Sequence, residues 1–500
     1  MESQLEQTKT RKATESSAPK LRNYVNGAWV TPQTENYLDV TNPANGDVIA
    51  QVPLSSKEDT DAAVAAAHAA FPAWRATPPL ERSRLLFAVK ARMEERFEDF
   101  AQAVTREHGK TLEDARGSVR RAIENVEVAC GIPSLLMGYG LEDGAAKGID
   151  EDVVRQPLGV FAAVCPFNFP LMVPFWFWPY AVACGNTYII KPSEQVPTSM
   201  QLVFEELDAC GFPPGVINVV NGSKEAVDAL LDSPQVRGIS FVGSTPTARY
   251  LYARAGEQGK RVQAQGGAKN VIVVMPDAAL DETVGNVINS AFGSAGQRCL
   301  AGSVVVTVGA GHERVRDAIV QAAGSLAVGN GADEDVELGP VISQSAKERI
   351  LGYIERGEAE GAALLLDGRA AAAEQDANGA FVGATIFDEV QTDMALFTDE
   401  IFGPVLSMLH VETLDDAITL IENQRYGNAA SIFTQDGAAA REFRYRAPTG
   451  NIGINVGVAA PMAYFPFSGA KESFFGTLHG QGRDAIDFFT ERKVVITRWF

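Results

Sequence analysis

Between residues 159 and 275, short apolar runs alternate with stretches of helical spacing. No other feature of this 500-residue chain limits its fold as tightly. The runs at 159–165, 186–191, 216–220, 238–242 and 270–275 read as strands. Residues 171–184, 196–209, 224–231 and 247–257 read as helices. Strands joined through single helices pair in parallel, so this region predicts βαβ units on one sheet. A second alternating region predicts strands at 303–308, 405–409, 429–433 and 451–455, with helices at 314–323, 346–358, 414–422 and 437–445. Ahead of both lie a hairpin signal at Asn26-Gly27 and long helical patterns at 57–70, 80–100 and 110–137. Residues 370–378 are Ala-rich and read as a surface loop. The pattern predicts two α/β lobes.

A hydrophobic content of 46% is enough for two cores. The formal charge of -20 disfavours nucleic acid or an anionic membrane as the main partner. The five cysteines, Cys130, Cys165, Cys184, Cys210 and Cys299, are odd in number and form no CxxC, so a disulfide framework or a metal site is not expected. That cysteine usage fits a reduced cytoplasmic setting. No 18-residue apolar run appears. Residues 1–20 mix acids with bases, lack an apolar signal core and read as a disordered tail.

Chemistry concentrates where helices pass into strands. Residues 292–303, FGSAGQRCLAGS, set Cys299 between a helix end and a strand, behind Gly293 and Gly296. A thiol attacks as thiolate, and Arg298 beside it is expected to lower its pKa. The bland reading of Cys299 is a small buried hydrophobe. Residues 165–170, CPFNFP, place Asn168 after a strand, either as a donor to an oxyanion or as a helix cap. Residues 191–194, KPSE, place Lys191 and Glu194 at a strand end, as a ribose grip or a solvated charge pair. Residues 241–246, FVGSTP, place Gly243 and Ser244 at a helix start, which suits a pyrophosphate but is also an ordinary helix opening. Residues 400–405, EIFGPV, offer Glu400 to a second ribose and Phe402 to a nicotinamide, or form a packed turn. Residues 465–469, FPFSG, bring Phe467 to a substrate tunnel or into the core.

Six motifs in the chain order CPFNFP, KPSE, FVGST, GQRC, EIFGPV and PFSG, from about residue 22 to 495, resemble the aldehyde dehydrogenase superfamily. The resemblance implies a Rossmann-like NAD-binding lobe (residues 21–141 and 161–267), an α/β catalytic lobe (268–485) and an oligomerisation arm (142–160 and 486–500). It implies Cys299 as nucleophile, Asn168 as oxyanion donor, and Phe167, Lys191, Glu194, Gly243, Ser244, Glu400 and Phe402 around NAD.

Within that superfamily, residues 164–194 and 292–303 are similar to the CoA-acylating methylmalonate-semialdehyde dehydrogenases. Residues 263–270, QAQGGAKN, carry Gln265 where most of the superfamily has the Glu that activates water. The acylating enzymes also lack that Glu, though they usually carry Asn-Met at the position of Gln265-Gly266. Gln has no titratable carboxyl group. The implied activity is oxidation of malonate or methylmalonate semialdehyde through a Cys299 thioester passed to CoA, giving acetyl-CoA or propanoyl-CoA after decarboxylation. Arg298 and Arg121 fall where that family binds the substrate carboxylate, and Phe467 lines the substrate path; Arg120 beside Arg121 leaves the second arginine open. The implied partners are a semialdehyde, CoA and further copies of the chain, as a dimer or tetramer. Two other readings stand beside this one: a hydrolytic aldehyde dehydrogenase that releases a free acid, and a non-catalytic binding or structural protein on the same fold.

Overall fold

A computed structural model describes residues 17–372 and 375–500. Most of the expected tail lies outside the described residues, but Pro19–Leu21 pair with Gln51. Eight strands form the first sheet, in the order Ala28–Val30, Asn23–Val25, Ile217–Val219, Thr187–Lys191, Val160–Val164, Val236–Val242, Arg261–Gln265 and Phe474–Gly476. Its five inner strands are parallel. Val160–Val164 is apolar on both faces, and it and Thr187–Lys191 are buried throughout, as helices on both sides require. From Val160–Val164 the chain builds outward in one direction and then, from Val236–Val242, in the other. The order therefore reverses between these two strands, and such a switch point opens a crevice beyond their carboxyl ends. Residues 165–168 and 243–244 lie there.

The second sheet has seven strands, in the order Ala363–Leu366, Thr385–Asp388, Val405–Val411, Gly302–Val308, Asn270–Val274, Ala429–Phe433 and Asn451–Ile454. All its pairings are parallel except the first. A three-stranded antiparallel sheet, Tyr139–Leu141, Ile149–Pro157 and Thr490–Arg498, stands apart from both. Its long pair runs in register from Thr490 opposite Pro157 to Arg498 opposite Ile149. Val494, Ile496, Tyr139 and Leu141 are exposed on it.

Three long helical patterns are broken, each at an identifiable residue. The stretch 171–184 splits into Met172–Phe175 and Trp178–Ala183, where Pro174 and Pro179 cannot continue a ladder. The stretch 80–100 bends at Arg96, between Pro79–Glu95 and Phe97–His108. The stretch 110–137 yields Leu112–Cys130 and then Ile132–Leu135, separated by Gly131 and restarted at Pro133. The Ala-rich stretch opens on the short helix Gly368–Ala372, and residues 373–374 lie outside the described residues. No helix among the described residues is long and apolar enough to cross a membrane.

Candidate active site

The helix Leu280–Phe292 ends in a turn whose geometry aims Cys299. Ser294 and Ala295 take φ of 51° and 53°, a left-handed conformation that costs an L residue about 1 kcal/mol or more and persists only where the surroundings hold it. Asp114 holds it here: one carboxylate oxygen accepts from the Ser294 N–H at 2.7 Å and from its hydroxyl at 3.1 Å. Gly296 is required by space, since a Cβ would stand 2.2 Å from the Gly403 carbonyl.

Cys299 then sits at the amino end of strand Gly302–Val308. The adjacent parallel strand begins at Asn270 and the strand beyond it just after Asn428, and both amides reach the Cys299 carbonyl, at 2.9 and 2.7 Å. The backbone of the thiol-bearing residue is thus fixed by two side-chain amides. All five cysteines are free, and Cys299 is half-buried. Burial, and then the Glu400 carboxylate, push its thiol up to about 12, while the N–H groups of Cys299 and Leu300 and the Arg298 charge act the other way. Arg298 acts on the thiol in the expected direction but is outweighed by burial and Glu400. Its guanidinium is paired with Asp114 and its influence is the smallest of these.

Asn168 is buried and caps no helix, because the next helix begins at Met172. Its side-chain amide instead donates to the Gln297 carbonyl at 3.0 Å, across 129 residues of chain, which places it beside the Cys299 loop. Its backbone carbonyl accepts from Lys110 Nζ at 2.7 Å.

The switch-point crevice gathers the remaining motifs. Lys191 is buried and pairs with Glu194 at 2.8 Å, so this is no solvated surface pair. Burial raises the Glu194 carboxyl, but the Lys191 ammonium outweighs it and leaves the group below its ordinary value. Ser244 stands at the N-cap of helix Thr245–Glu257, but its hydroxyl meets Thr247 at 2.9 Å and caps no N–H. The first N–H groups of that helix remain open to an anion. A Cβ on Gly243 would press within 2.5 Å of the Phe241 ring. Glu400 accepts from the Ala268 N–H at 2.8 Å, and burial pushes its carboxyl up to about 7. Phe402, at a φ of 52°, meets Phe167 edge-on at 5.7 Å.

Gln265 is buried, and its amide donates to the Phe467 carbonyl at 2.8 Å while its Oε1 finds no partner among the described residues. Phe467 is itself buried and stacks on Trp176 at 4.4 Å.

The sequence profile of the Aldehyde dehydrogenase family matches residues 29–495. The chain belongs to the aldehyde dehydrogenase family. It is 50% identical over 479 residues to malonate-semialdehyde dehydrogenase 2 of Geobacillus kaustophilus (strain HTA426), an alignment covering 96% of this chain and 99% of that one. A crystal structure of methylmalonate-semialdehyde dehydrogenase from Oceanimonas doudoroffii matches with a TM-score of 0.95 at 45% identity, over 96% of this chain and 99% of that one. A Sinorhizobium meliloti 1021 chain described as a methylmalonate-semialdehyde dehydrogenase, solved in complex with NAD, matches with a TM-score of 0.95 at 42% identity, over 97% and 99% of the two chains.

The two arginines beside Arg298 in the sequence reading part company. Arg120 points to a neighbouring helix, where it forks onto Glu94 at 2.7 and 3.0 Å and covers the Phe97 ring. Arg121 shares the helix face of Asp114 and Asn125, and Asn125 accepts from the Tyr180 hydroxyl that also donates to the Ala463 carbonyl. Arg121 bonds only Glu124, at 3.2 Å, among the described residues.

Asn270, Asn428, Asp114 and Lys110 were absent from the sequence reading. Asn270 closes the quoted run QAQGGAKN, and EHGK at 107–110 is as compact as the motifs that were noticed. Two side chains of that run act in the structure: Glu107 accepts from the Ser199 N–H, and Lys110 reaches Asn168.

Proposed function

We propose that this aldehyde dehydrogenase is the CoA-acylating type, oxidising malonate or methylmalonate semialdehyde with NAD and passing the acyl group from Cys299 to CoA. The observation that carries the reading is Gln265: a neutral amide, tied to Phe467, stands where a hydrolytic member needs a carboxylate base.

The crevice residues fit NAD. The uncapped N–H groups of helix Thr245–Glu257 suit the pyrophosphate, the Lys191–Glu194 pair suits a ribose diol, and Glu400, Phe402 and Phe167 suit the nicotinamide end. When bound, NAD supplies a hydride acceptor. Cys299 Sγ bonds the aldehyde carbon and the carbonyl oxygen becomes an oxyanion. Asn168 Nδ2 donates to it, with the Cys299 N–H as the second donor. Loss of the hydride restores the C=O as a thioester. A CoA thiolate then bonds that carbon and the Cys299 thiolate leaves. An acyl group with a β-carboxylate loses CO2.

Donor counting divides the labour between the arginines. A guanidinium has five N–H donors. Arg298 spends two on Asn289, one on Ser294 and one on Asp114, which leaves one. Arg121 spends one and keeps a fork for a bidentate carboxylate. Arg121→Leu is therefore expected to lower kcat/KM for malonate semialdehyde by roughly thirtyfold, about 2 kcal/mol. Propanal, which has no carboxylate, should lose less than threefold. Equal losses on both aldehydes would contradict the assignment. Arg298→Leu should also lower Tm, since it strands the Asp114 carboxylate in a partly buried pair.

The three-stranded arm, with Val494 and Ile496 exposed, is proposed to pair with a second copy. The whole reading is tested by product analysis. Malonate semialdehyde, NAD and CoA should give NADH and acyl-CoA in equal amounts by mass spectrometry. Free acid as the main product, with CoA saturating, would sink it.

A further inference from the structure

Lys110 is among the most deeply buried large side chains in the molecule. A buried ammonium ordinarily finds a carboxylate. Lys110 has none within ion-pair distance among the described residues, and Asp114 influences it only at longer range. Among the described residues its one hydrogen bond is to the carbonyl of Asn168, at 2.7 Å, and its Nζ stands 4.1 Å from the centre of the Phe169 ring.

The backbone beneath it is shaped for this. Gly109 closes helix Phe97–His108 at a φ of 89°, with space for no Cβ against Pro340 and Pro43. From the second lobe, Gly331 and Gly339 lie so close that a Cβ on either would stand 2.2–2.5 Å from the carbonyls of Gly109 or Lys110. The Leu112 N–H donates to the Gly331 carbonyl at 3.0 Å. Lys110 is thereby clamped at its backbone and extended to a single acceptor. That acceptor belongs to the residue whose side chain reaches the Cys299 loop.

We infer that Lys110 is a positioning residue: by holding the Asn168 carbonyl and bracing the Phe169 ring it sets the Asn168 amide where the oxyanion forms. The inference rests on the oxyanion role proposed for Asn168. Burial pushes the Lys110 amine down to about 7, so holding it here is costly, as expected of a group kept for its contacts rather than its stability. An amide displaced by about 1 Å loses rate on the order of a hundredfold.

The test uses the full-length enzyme and the pre-steady-state burst of NADH. Lys110→Met keeps the volume without the donor, and Lys110→Gln restores an N–H donor one bond shorter. Lys110→Met should slow the burst roughly a hundredfold, with Lys110→Gln recovering part of the loss. NAD affinity, read by intrinsic fluorescence, and KM for the aldehyde should stay within about twofold of wild type, a split that general loosening would not give. In an Asn168→Ala background, adding Lys110→Met should change little, because its route to the reaction is already gone. A folded Lys110→Met enzyme with a burst near wild type would overturn the inference, and so would full additivity with Asn168→Ala. If Asn168→Ala itself leaves the burst intact, the oxyanion assignment has failed and Lys110 loses its role with it.

Discussion

Replacing Cys299 by Ala is expected to lower NADH formation by about 10^4-fold or more, with NAD binding unchanged. Loss of a nucleophile leaves only the rate supplied by binding and oxyanion donors. The choice among five cysteines does not rest on acidity. Burial raises the thiols of Cys130, Cys165 and Cys184 to about 12, and that of Cys210 to about 11, much as it raises Cys299. What separates Cys299 is placement. Two asparagine amides fix its carbonyl, a strained turn held by Asp114 precedes it, and Asn168 lies alongside. Ala at Cys165 or Cys184 should cost stability, since both are fully packed, and leave most of the burst intact. A Cys299→Ala enzyme that still forms NADH at near wild-type rate would remove the nucleophile assignment.

Motifs that lie at element ends could be read, because a strand followed by a glycine or proline turn announces where the chain exposes its backbone: residues 165–168 and 243–244 lie at the switch point, and 191–194 at the carboxyl end of the next strand. The apolar strands were equally plain. The partners that fix these residues were not, because hydrogen bonds between residues 58 to 180 positions apart leave no periodicity. Asp114 with Ser294, Lys110 with Asn168, and Asn428 with Cys299 are all of this kind. Arg298 was read as an activator because it adjoins Cys299 in sequence, whereas the fold turns it toward Asp114. Arg120 and Arg121 could be told apart only once Glu94 was seen on a neighbouring helix. Gln265 was noticed for what it lacks, and the structure adds what it does: it ties Phe467.

Without CoA, rapid mixing of enzyme, NAD and malonate semialdehyde should release one NADH per active site and then slow sharply. Addition of CoA should raise the steady rate by roughly a hundredfold or more, the contribution of the general base that water lacks beside Gln265. The thioester persists because nothing in the Gln265 position can take a proton from water, and a CoA thiolate needs no such help. Gln265→Glu sharpens the test. The amide that donates to the Phe467 carbonyl becomes an acceptor facing an acceptor, so the tie is lost and Tm should fall. The freed carboxylate is buried, with its pKa raised by desolvation, and that suits a base working near neutrality. Its geometry is not set for water, so the CoA-independent rate should rise by about tenfold and not by the full factor of a placed base. The burst amplitude should remain at one per site, because Cys299 and Asn168 are untouched. A wild-type enzyme that turns over rapidly to free acid without CoA would show that another group activates water, and the family's hydrolytic chemistry would then take the place of acyl transfer.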